Sequence, residues 1–519
     1  MEAHKKVVYL PVDGDPLCTV VLTPGSGGKY PSVLVRSPYE REHESLADGE
    51  LADRVAENYK NWLDAGYAVF FQHCRGTGKS GGDCVPFVHE REEGLALQRF
   101  AREQDFYNGE IYLLGGSYTA SVHYATAPFA PDIKGASFES MTDERYDFFY
   151  RSGSFNMGLI GAWHASLYKC KSGVKNNYSN GEYLKRPLTE FTRRVFGETV
   201  ADYDGALRHP DRRDPFWNTR EGGSDCRGAL RGARIPIFLS VGTVDTFAHG
   251  VLKMWEELDE ETRAMSALVV HPYHHGGTSE DQPVRFEGGE LSEFIDGFDL
   301  SWIEHARRGT PPPVPLGRIT YYEQFGAGWL TDGGFDSPSD SLVFTFGGGK
   351  REFVYDPERP TEYVGGLTHA FRGTSYMDPP GREGTVTFFT EPFDEDVRIR
   401  GKMRLKLAVS SDCPDTAFYV RVGIAKKEGD FSIRDDIDLI SNHVPDYRPG
   451  DPVKIEFELD PYAGVVKKGE RLRVDVASSA YPIFVPHTNT RGLFSEQTET
   501  RIARNTVDAG GCSLTVGRI

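Results

Sequence analysis

Ser117, Asp245 and His275 lie far apart in this 519-residue chain, yet they have the side chains that nucleophilic acyl transfer requires. A serine hydroxyl attacks a carbonyl carbon only when a histidine takes its proton, and the imidazole is held in the useful tautomer by a carboxylate on its other nitrogen. Ser117 stands in Ile111-Tyr112-Leu113-Leu114-Gly115-Gly116-Ser117-Tyr118-Thr119-Ala120. An apolar run that ends in Gly-Gly-Ser and enters helix-compatible residues has the form of a nucleophile elbow, where small residues permit the strained turn that lifts the hydroxyl clear. The glycine usual after the serine is absent, so the motif is incomplete, and a lone Gly-x-Ser is more often a plain turn.

The other two residues supply the context. Asp245 follows the apolar run 235–241 through Gly242-Thr243-Val244, and His275 follows 267–270 through His271-Pro272-Tyr273-His274. Each therefore sits just past the C-terminal end of an expected strand, where open α/β sheets assemble their sites, and the order Ser, Asp, His is that of the α/β-hydrolases. Taken alone, Asp245 could cap a helix starting near Phe247, and His275 could be a structural histidine or yield its role to His274. His271, His274 and His275 have no acidic or cysteine partner at a diagnostic metal spacing, and no metal or cofactor is expected. Gly76-Thr77-Gly78-Lys79-Ser80 resembles a phosphate loop but has His73 where the full pattern needs glycine, and no helical pattern follows it.

The elements that must carry these residues are alternating strands and helices. Residues 32–36, 68–72, 111–114 and 136–138 are short apolar runs like buried parallel strands, and 51–65 and 91–102 have helical apolar spacing. From 142 to 226 the pattern turns aromatic and helical, with Tyr146, Phe148, Phe149, Tyr150, Phe155 and Trp163 close together, as an insertion would. Helical stretches at 247–258 and 291–307 accompany the resumed strands. Pro311-Pro312-Pro313 and Gly347-Gly348-Gly349 mark turns or linkers around the next change. Beyond about 340, alternating β-branched and charged residues at 402–409, 417–422, 453–459 and 471–476 predict a separate all-β domain. The expected architecture is an α/β-hydrolase catalytic domain at 1–141 and 227–338, a helical cap at 142–226 and a jelly-roll β domain at 339–519.

Composition narrows the partners. With 39% hydrophobic and 26% charged residues the chain reads as globular, and 59 Lys plus Arg against 77 Asp plus Glu give a net charge of −18. That charge disfavours nucleic acid and anionic lipid surfaces. No stretch has the length of a signal core or a membrane span, which predicts a cytoplasmic protein. Seven cysteines, at 18, 74, 84, 170, 226, 413 and 512, lack Cys-x-x-Cys spacing and read as reduced thiols.

Val12-Asp13-Gly14, Arg36-Ser37-Pro38-Tyr39, Gly66-Tyr67-Ala68-Val69, Arg75-Gly76-x-Gly78-x-Ser80, and the elbow Gly115 to Ala120 with alanine in the last place follow one another along the chain. Through them the chain resembles, across nearly its whole length, the cocaine-esterase-like (CocE/NonD) hydrolases, relatives of the Xaa-Pro dipeptidyl-peptidases and α-amino-acid ester hydrolases. The acid motif is similar to Gly242-Thr243-Val244-Asp245-Thr246-Phe247 and the histidine motif to His271-Pro272-Tyr273-His274-His275-Gly276, which favours His275 over His274. Ser410-Ser411-Asp412, Lys468-Gly469-x-Arg471 and Ala477-Ser478-Ser479-x-x-Pro482 resemble the family's jelly-roll domain. His73 stands where the family commonly has aspartate.

The resemblance implies a serine hydrolase cleaving a carboxylic ester or amide through an acyl-serine, with a dipeptidyl-peptidase-like exopeptidase as the alternative and a binding protein with a vestigial site as a third reading. It assigns the oxyanion donors to the Tyr39 hydroxyl and the Tyr118 N–H, and gives Phe247 a pocket position. Phe149, Phe155 and Trp163 could roof an acyl pocket or form the insertion's own core. Glu139, Asp143, Glu144 and Asp147 could grip a substrate ammonium or form a solvated helix start. The expected partner is a small ester, amide or short peptide; homodimer formation is left open.

Overall fold

The computed structural model describes residues 3–168, 175–218, 223, 225–277, 284–335, 340–363, 365 and 376–519. It opens on a hairpin, β1 (His4–Val12) and β2 (Asp15–Thr23), turned at Asp13 and Gly14 with φ of 48° and 89°. Two consecutive positive φ values make the tight turn whose twist suits a hairpin. There follow β3 (Tyr30–Ser37), α1 (Asp48–Asn58), α2 (Lys60–Asp64), β4 (Ala68–His73), α3 (Glu90–Arg102), β5 (Tyr107–Gly116), α4 (Tyr118–Tyr124) and β6 (Ile133–Glu139). The region after β6 contributes α5 (Arg145–Phe149), the short hairpin β7 (Tyr150–Arg151) and β8 (Ser154–Phe155), α6 (Met157–Tyr168), α7 (Phe191–Phe196) and α8 (Ala201–Arg208). The chain then returns through β9 (Ile237–Gly242), α9 (Ala248–Glu257), α10 (Glu260–Ala264), β10 (Ala267–His271), α11 (Leu291–Phe294), α12 (Phe298–Arg308), β11 (Ile319–Glu323) and β12 (Gly328–Asp332).

Ten of these strands form one sheet in the order β1-β2-β4-β3-β5-β6-β9-β10-β11-β12. From β4 to β11 all pairs are parallel, and the hairpin and β12 close the edges antiparallel. Because side chains alternate across a strand, Val33, Val35, Val69, Phe71, Tyr112 and Leu114 fill the core on one face, and Leu34, Phe70 and Leu113 the core on the other. β6 pairs directly with β9, Ala136 opposite Ile237, so everything between them leaves and re-enters the sheet without disturbing it.

Two further antiparallel sheets share a second core. One has the order β13-β22-β16-β21-β14, with β19 also on β16: β13 (Asp340–Thr345), β14 (Lys350–Tyr355), β16 (Val397–Ser411), β19 (Val453–Val466), β21 (Ala503–Asp508) and β22 (Ser513–Arg518). The other is β15 (Val386–Phe389), β20 (Arg471–Ala477), β17 (Ala417–Lys426) and β18 (Gly429–Leu439). Leu405, Leu407 and Ile455 of the first meet Val420, Val422 and Val474 of the second in one buried cluster.

Several expectations are refined. The helix expected over 51–65 is interrupted at Tyr59, with φ −107° and ψ 21°. That expected over 291–307 divides because Gly297 adopts a left-handed φ of 53°. Pro311-Pro312-Pro313 lies inside the large sheet's own chain, since β11 and β12 follow it. Cys18, Cys74, Cys413 and Cys512 are free thiols; Cys170 lies outside the described residues.

Candidate active site

β5 ends at Gly116, α4 begins at Tyr118, and Ser117 between them has φ 54° and ψ −132°. Such a backbone costs about 1–3 kcal/mol for a residue with a side chain and persists only where its surroundings enforce it. Gly115 is part of that enforcement: a Cβ there would stand 2.1 Å from the Thr119 carbonyl oxygen. At Gly116 the space is open, a Cβ meeting the nearest atom at 3.6 Å. The Thr119 hydroxyl accepts from Gly116 N–H at 2.7 Å and donates to Gly116 O at 2.6 Å, tying down the turn where the usual glycine is missing.

The two loops after β9 and β10 bring the partners. His275 Nε2 lies 3.0 Å from Ser117 Oγ, and its Nδ1 lies 3.0 Å from Asp245 Oδ2 and 3.3 Å from Oδ1. Asp245 is fully buried and also accepts from Phe247 N–H at 2.8 Å. Burial pushes the Asp245 carboxyl up, but His275, the Phe247 N–H and the Ser140 hydroxyl outweigh it and hold it below the ordinary value. His274 turns away, its Nδ1 2.9 Å from the His275 carbonyl oxygen. Among the described residues no group of three or more His, Cys, Asp or Glu side chains is arranged to hold a metal ion.

Tyr39 reaches this cluster from the loop after β3. Its hydroxyl donates to Ser117 Oγ at 3.3 Å and accepts from Tyr118 N–H at 3.3 Å. Although 39% of Tyr39 is exposed, loss of water around its hydroxyl raises its pKa, opposed by Ser117, Trp163 and the Tyr118 backbone. The Tyr118 side chain points the other way. Its hydroxyl donates to Glu90 Oε1 at 2.5 Å and accepts from Phe87 N–H at 2.7 Å. Glu90 is paired with the fully buried Arg36 at 2.6 Å, Arg36 also binds Glu93, and Glu93 binds Arg75 at 2.6 Å. A buried ionic ladder thus stands directly behind the residue that follows the serine.

The aromatic candidates separate into two groups. Phe247 meets the His275 ring edge-on at 5.3 Å and stacks on Phe148 at 5.7 Å. Trp163 packs on Tyr118 at 5.2 Å and on Phe148 at 5.1 Å. Phe149 stands behind them, meeting Phe148 edge-on at 5.4 Å and packing against Trp217 beneath the Arg145 guanidinium, and Phe155 lies apart against Tyr150 and Tyr203. Phe155 lines a separate cavity of about 490 Å³ beside Leu439 and Val485. Phe87, which no sequence signal marked, packs on Tyr118 at 4.9 Å and Phe148 at 5.2 Å, with a φ of 69°.

The acidic run is not a solvated helix start. Asp143 and Glu144 are buried, Asp143 accepting from Gly228 N–H at 2.7 Å and Glu144 bridging Lys253 at 2.9 Å and Arg212 at 2.6 Å. Asp147 also pairs with Arg212. Burial and the nearby Asp299 push the Glu139 carboxyl up. The phosphate-loop look-alike is structural: Ser80 Oγ accepts from Cys18 N–H at 2.9 Å and donates to His73 O at 2.9 Å, and Lys79 is 3.0 Å from Asp48.

A mostly parallel sheet with this serine elbow, joined to a C-terminal β domain, defines an α/β-hydrolase core, and the chain is a serine hydrolase. It belongs to the X-Pro dipeptidyl-peptidase (S15) family, whose model matches residues 13–277, and the model of the X-Pro dipeptidyl-peptidase C-terminal non-catalytic domain matches residues 314–513. A cocaine esterase from Rhodococcus sp. (strain MB1 Bresler) is 22% identical over 93% of this chain and 92% of its own. Among solved structures, an α-amino acid ester hydrolase superposes with a TM-score of 0.81 at 18% identity, covering 100% of this chain and 97% of that one. A CocE/NonD family hydrolase from Staphylococcus aureus gives 0.68 at 17% identity, covering 100% and 94%. No helix among the described residues is long and apolar enough to cross a membrane.

Proposed function

We propose that Ser117, His275 and Asp245 are the nucleophile, general base and orienting acid of an esterase or acylase acting on small carboxylic esters or amides. The observation that carries this reading is the continuous relay from Ser117 Oγ through His275 to the buried Asp245, with both contacts at 3.0 Å. Ser117 attacks the carbonyl carbon as His275 takes its proton, the leaving alcohol or amine recovers that proton, and water repeats the sequence on the acyl-serine. The Tyr39 hydroxyl and the Tyr118 N–H, which meet beside Ser117 Oγ, are the two donors for the developing oxyanion. Phe247, Trp163, Phe148 and Phe87 form the wall of the acyl pocket, whereas Phe149 and Phe155 belong to the core of the region that roofs it. In this reading residues 142–226 are a helical cap, the two C-terminal sheets are a jelly roll, and the enzyme works in the cytoplasm.

The exopeptidase alternative is kept by the family description and by the names of the relatives. It is the second reading because three of the four candidate carboxylates for a substrate ammonium, Asp143, Glu144 and Asp147, already bind Gly228 N–H, Lys253 and Arg212. Fluorophosphonate labelling that disappears in Ser117→Ala tests the nucleophile, and persistence of the label in that variant would overturn it. Turnover of p-nitrophenyl acetate against Ala-Pro-p-nitroanilide separates the two readings; a preference for the anilide would reverse their order.

A further inference from the structure

The turn Gly242-Thr243-Val244-Asp245 is held by three of its backbone N–H groups from within the large sheet's own unit. Thr243 donates to His271 O at 2.7 Å, Val244 to Tyr273 O at 3.2 Å, and Asp245 to Gly242 O at 3.1 Å. A Cβ at Gly242 would stand 2.2 Å from the Tyr273 carbonyl oxygen, so this approach depends on glycine. The Thr243 carbonyl is gripped from elsewhere. It accepts from Arg434 Nη1 at 2.8 Å, and the Thr243 hydroxyl accepts from Nη2 at 3.2 Å.

Arg434 belongs to β18 of the C-terminal domain, 191 residues further along the chain, and is 1% exposed. Its other donors go to Asp460 O at 2.8 Å, Ile433 O at 2.6 Å and Pro461 O. Every hydrogen-bond acceptor it meets among the described residues is thus a carbonyl or hydroxyl oxygen, and none is a carboxylate. Burial in that setting lowers its pKa to about 10, with Asp460 opposing, so it remains charged at neutral pH. A guanidinium desolvated without a paired carboxylate is a poor source of stability. Its rigid fork does fix the positions of the oxygens it spans.

We infer that Arg434 is a positioning residue for hydrolysis: by clamping Thr243 it sets the turn that aims Asp245 at His275, so that the domain whose family model is described as non-catalytic helps build the site. The inference rests on Asp245 being the acid of the triad.

The test uses the full chain with Arg434→Met and Arg434→Lys, each in the wild-type and Asp245→Asn backgrounds. Misplacing a catalytic group by about 1 Å can cost 100-fold, so Arg434→Met is expected to lower kcat on p-nitrophenyl acetate roughly 10- to 100-fold. KM should stay within about two-fold, and the downfield NMR resonance of the His275–Asp245 proton should weaken. In the Asp245→Asn background the same change should cost less than about two-fold, since the interaction it supports is already gone. Arg434→Lys restores one donor and should recover part of the loss. Wild-type kcat in Arg434→Met, or an equal loss in both backgrounds, would mean that Arg434 only joins the domains. If Arg434→Met does not fold, Arg434→Lys is judged by the same two criteria. An Asp245→Asn enzyme of undiminished kcat would instead overturn the triad reading on which the inference rests.

Discussion

His275 Nδ1 stands 3.0 Å from Oδ2 of Asp245, a carboxylate with no exposed surface. Asp245→Asn keeps the shape of the acid but presents the wrong partner to the imidazole, and kcat should fall roughly 10⁴-fold with the fold intact, as measured by turnover and circular dichroism. The same variant has a signature in stability. Asp245 is held below its ordinary value of 3.8, burial opposing and His275 with the Phe247 N–H prevailing. A carboxyl depressed in the folded state contributes stability that is complete above its unfolded-state value and lost as pH falls through the folded-state value. Urea unfolding followed down from about pH 5 should therefore show a steeper loss in the wild type than in Asp245→Asn. Parallel curves would contradict the depressed carboxyl.

Tyr39→Phe removes one of the two donors beside Ser117 Oγ and leaves the ring in place. Loss of a single oxyanion donor costs about 100- to 1,000-fold in kcat, with a small change in KM. Steady-state kinetics on p-nitrophenyl acetate checks it, and a phenylalanine variant of normal kcat would remove Tyr39 from the oxyanion site.

The ladder Tyr118, Glu90, Arg36, Glu93, Arg75 leaves no room for a missing charge. Glu93→Ala takes one of two carboxylate partners from each of the buried Arg36 and Arg75, leaving Arg36 with Glu90 and Arg75 with Asp15, and breaking a buried pair from one side costs about 3–5 kcal/mol. Chemical denaturation should show that loss, together with weaker activity, because Glu90 anchors the hydroxyl of the residue after the nucleophile.

Substrate choice should divide the aromatic residues as the packing does. Trp163→Ala removes an aromatic contact from the proposed acyl pocket and should lower kcat/KM for benzoyl esters, whose ring would use that contact, about 10- to 200-fold relative to acetyl esters. Phe149→Leu, one layer behind, should lower stability by about 1 kcal/mol and leave that ratio unchanged. A ratio that moves with Phe149 and not with Trp163 would relocate the pocket.

The meeting of Ser117, Asp245 and His275 was legible because each stands just past a short apolar strand with glycine or proline in the connecting turn, and sheet topology does the rest. The parallel centre was legible for the same reason. The β1–β2 hairpin was within reach too, since Asp13-Gly14 between apolar runs is a strong turn signal, while β11 and β12 were obscured by the polyproline segment that precedes them. Sorting Trp163 from Phe149 and Phe155 was not possible. All three are large aromatic residues of one insertion, and only the tertiary packing of α6 against Tyr118 distinguishes them. Phe87 and Arg434 left no local trace, because what they touch lies in other parts of the chain.

The backbone bonds from Thr243 to His271 and from Val244 to Tyr273 stitch the two loops beyond β9 and β10 into a single plate. Acid and base are therefore carried on one hydrogen-bonded support, distinct from the β5–α4 elbow that carries Ser117. The acyl-pocket wall proposed above takes Phe87, Phe148 and Trp163 from other segments of the chain, so changes of size there leave the two backbone bonds behind the imidazole in place.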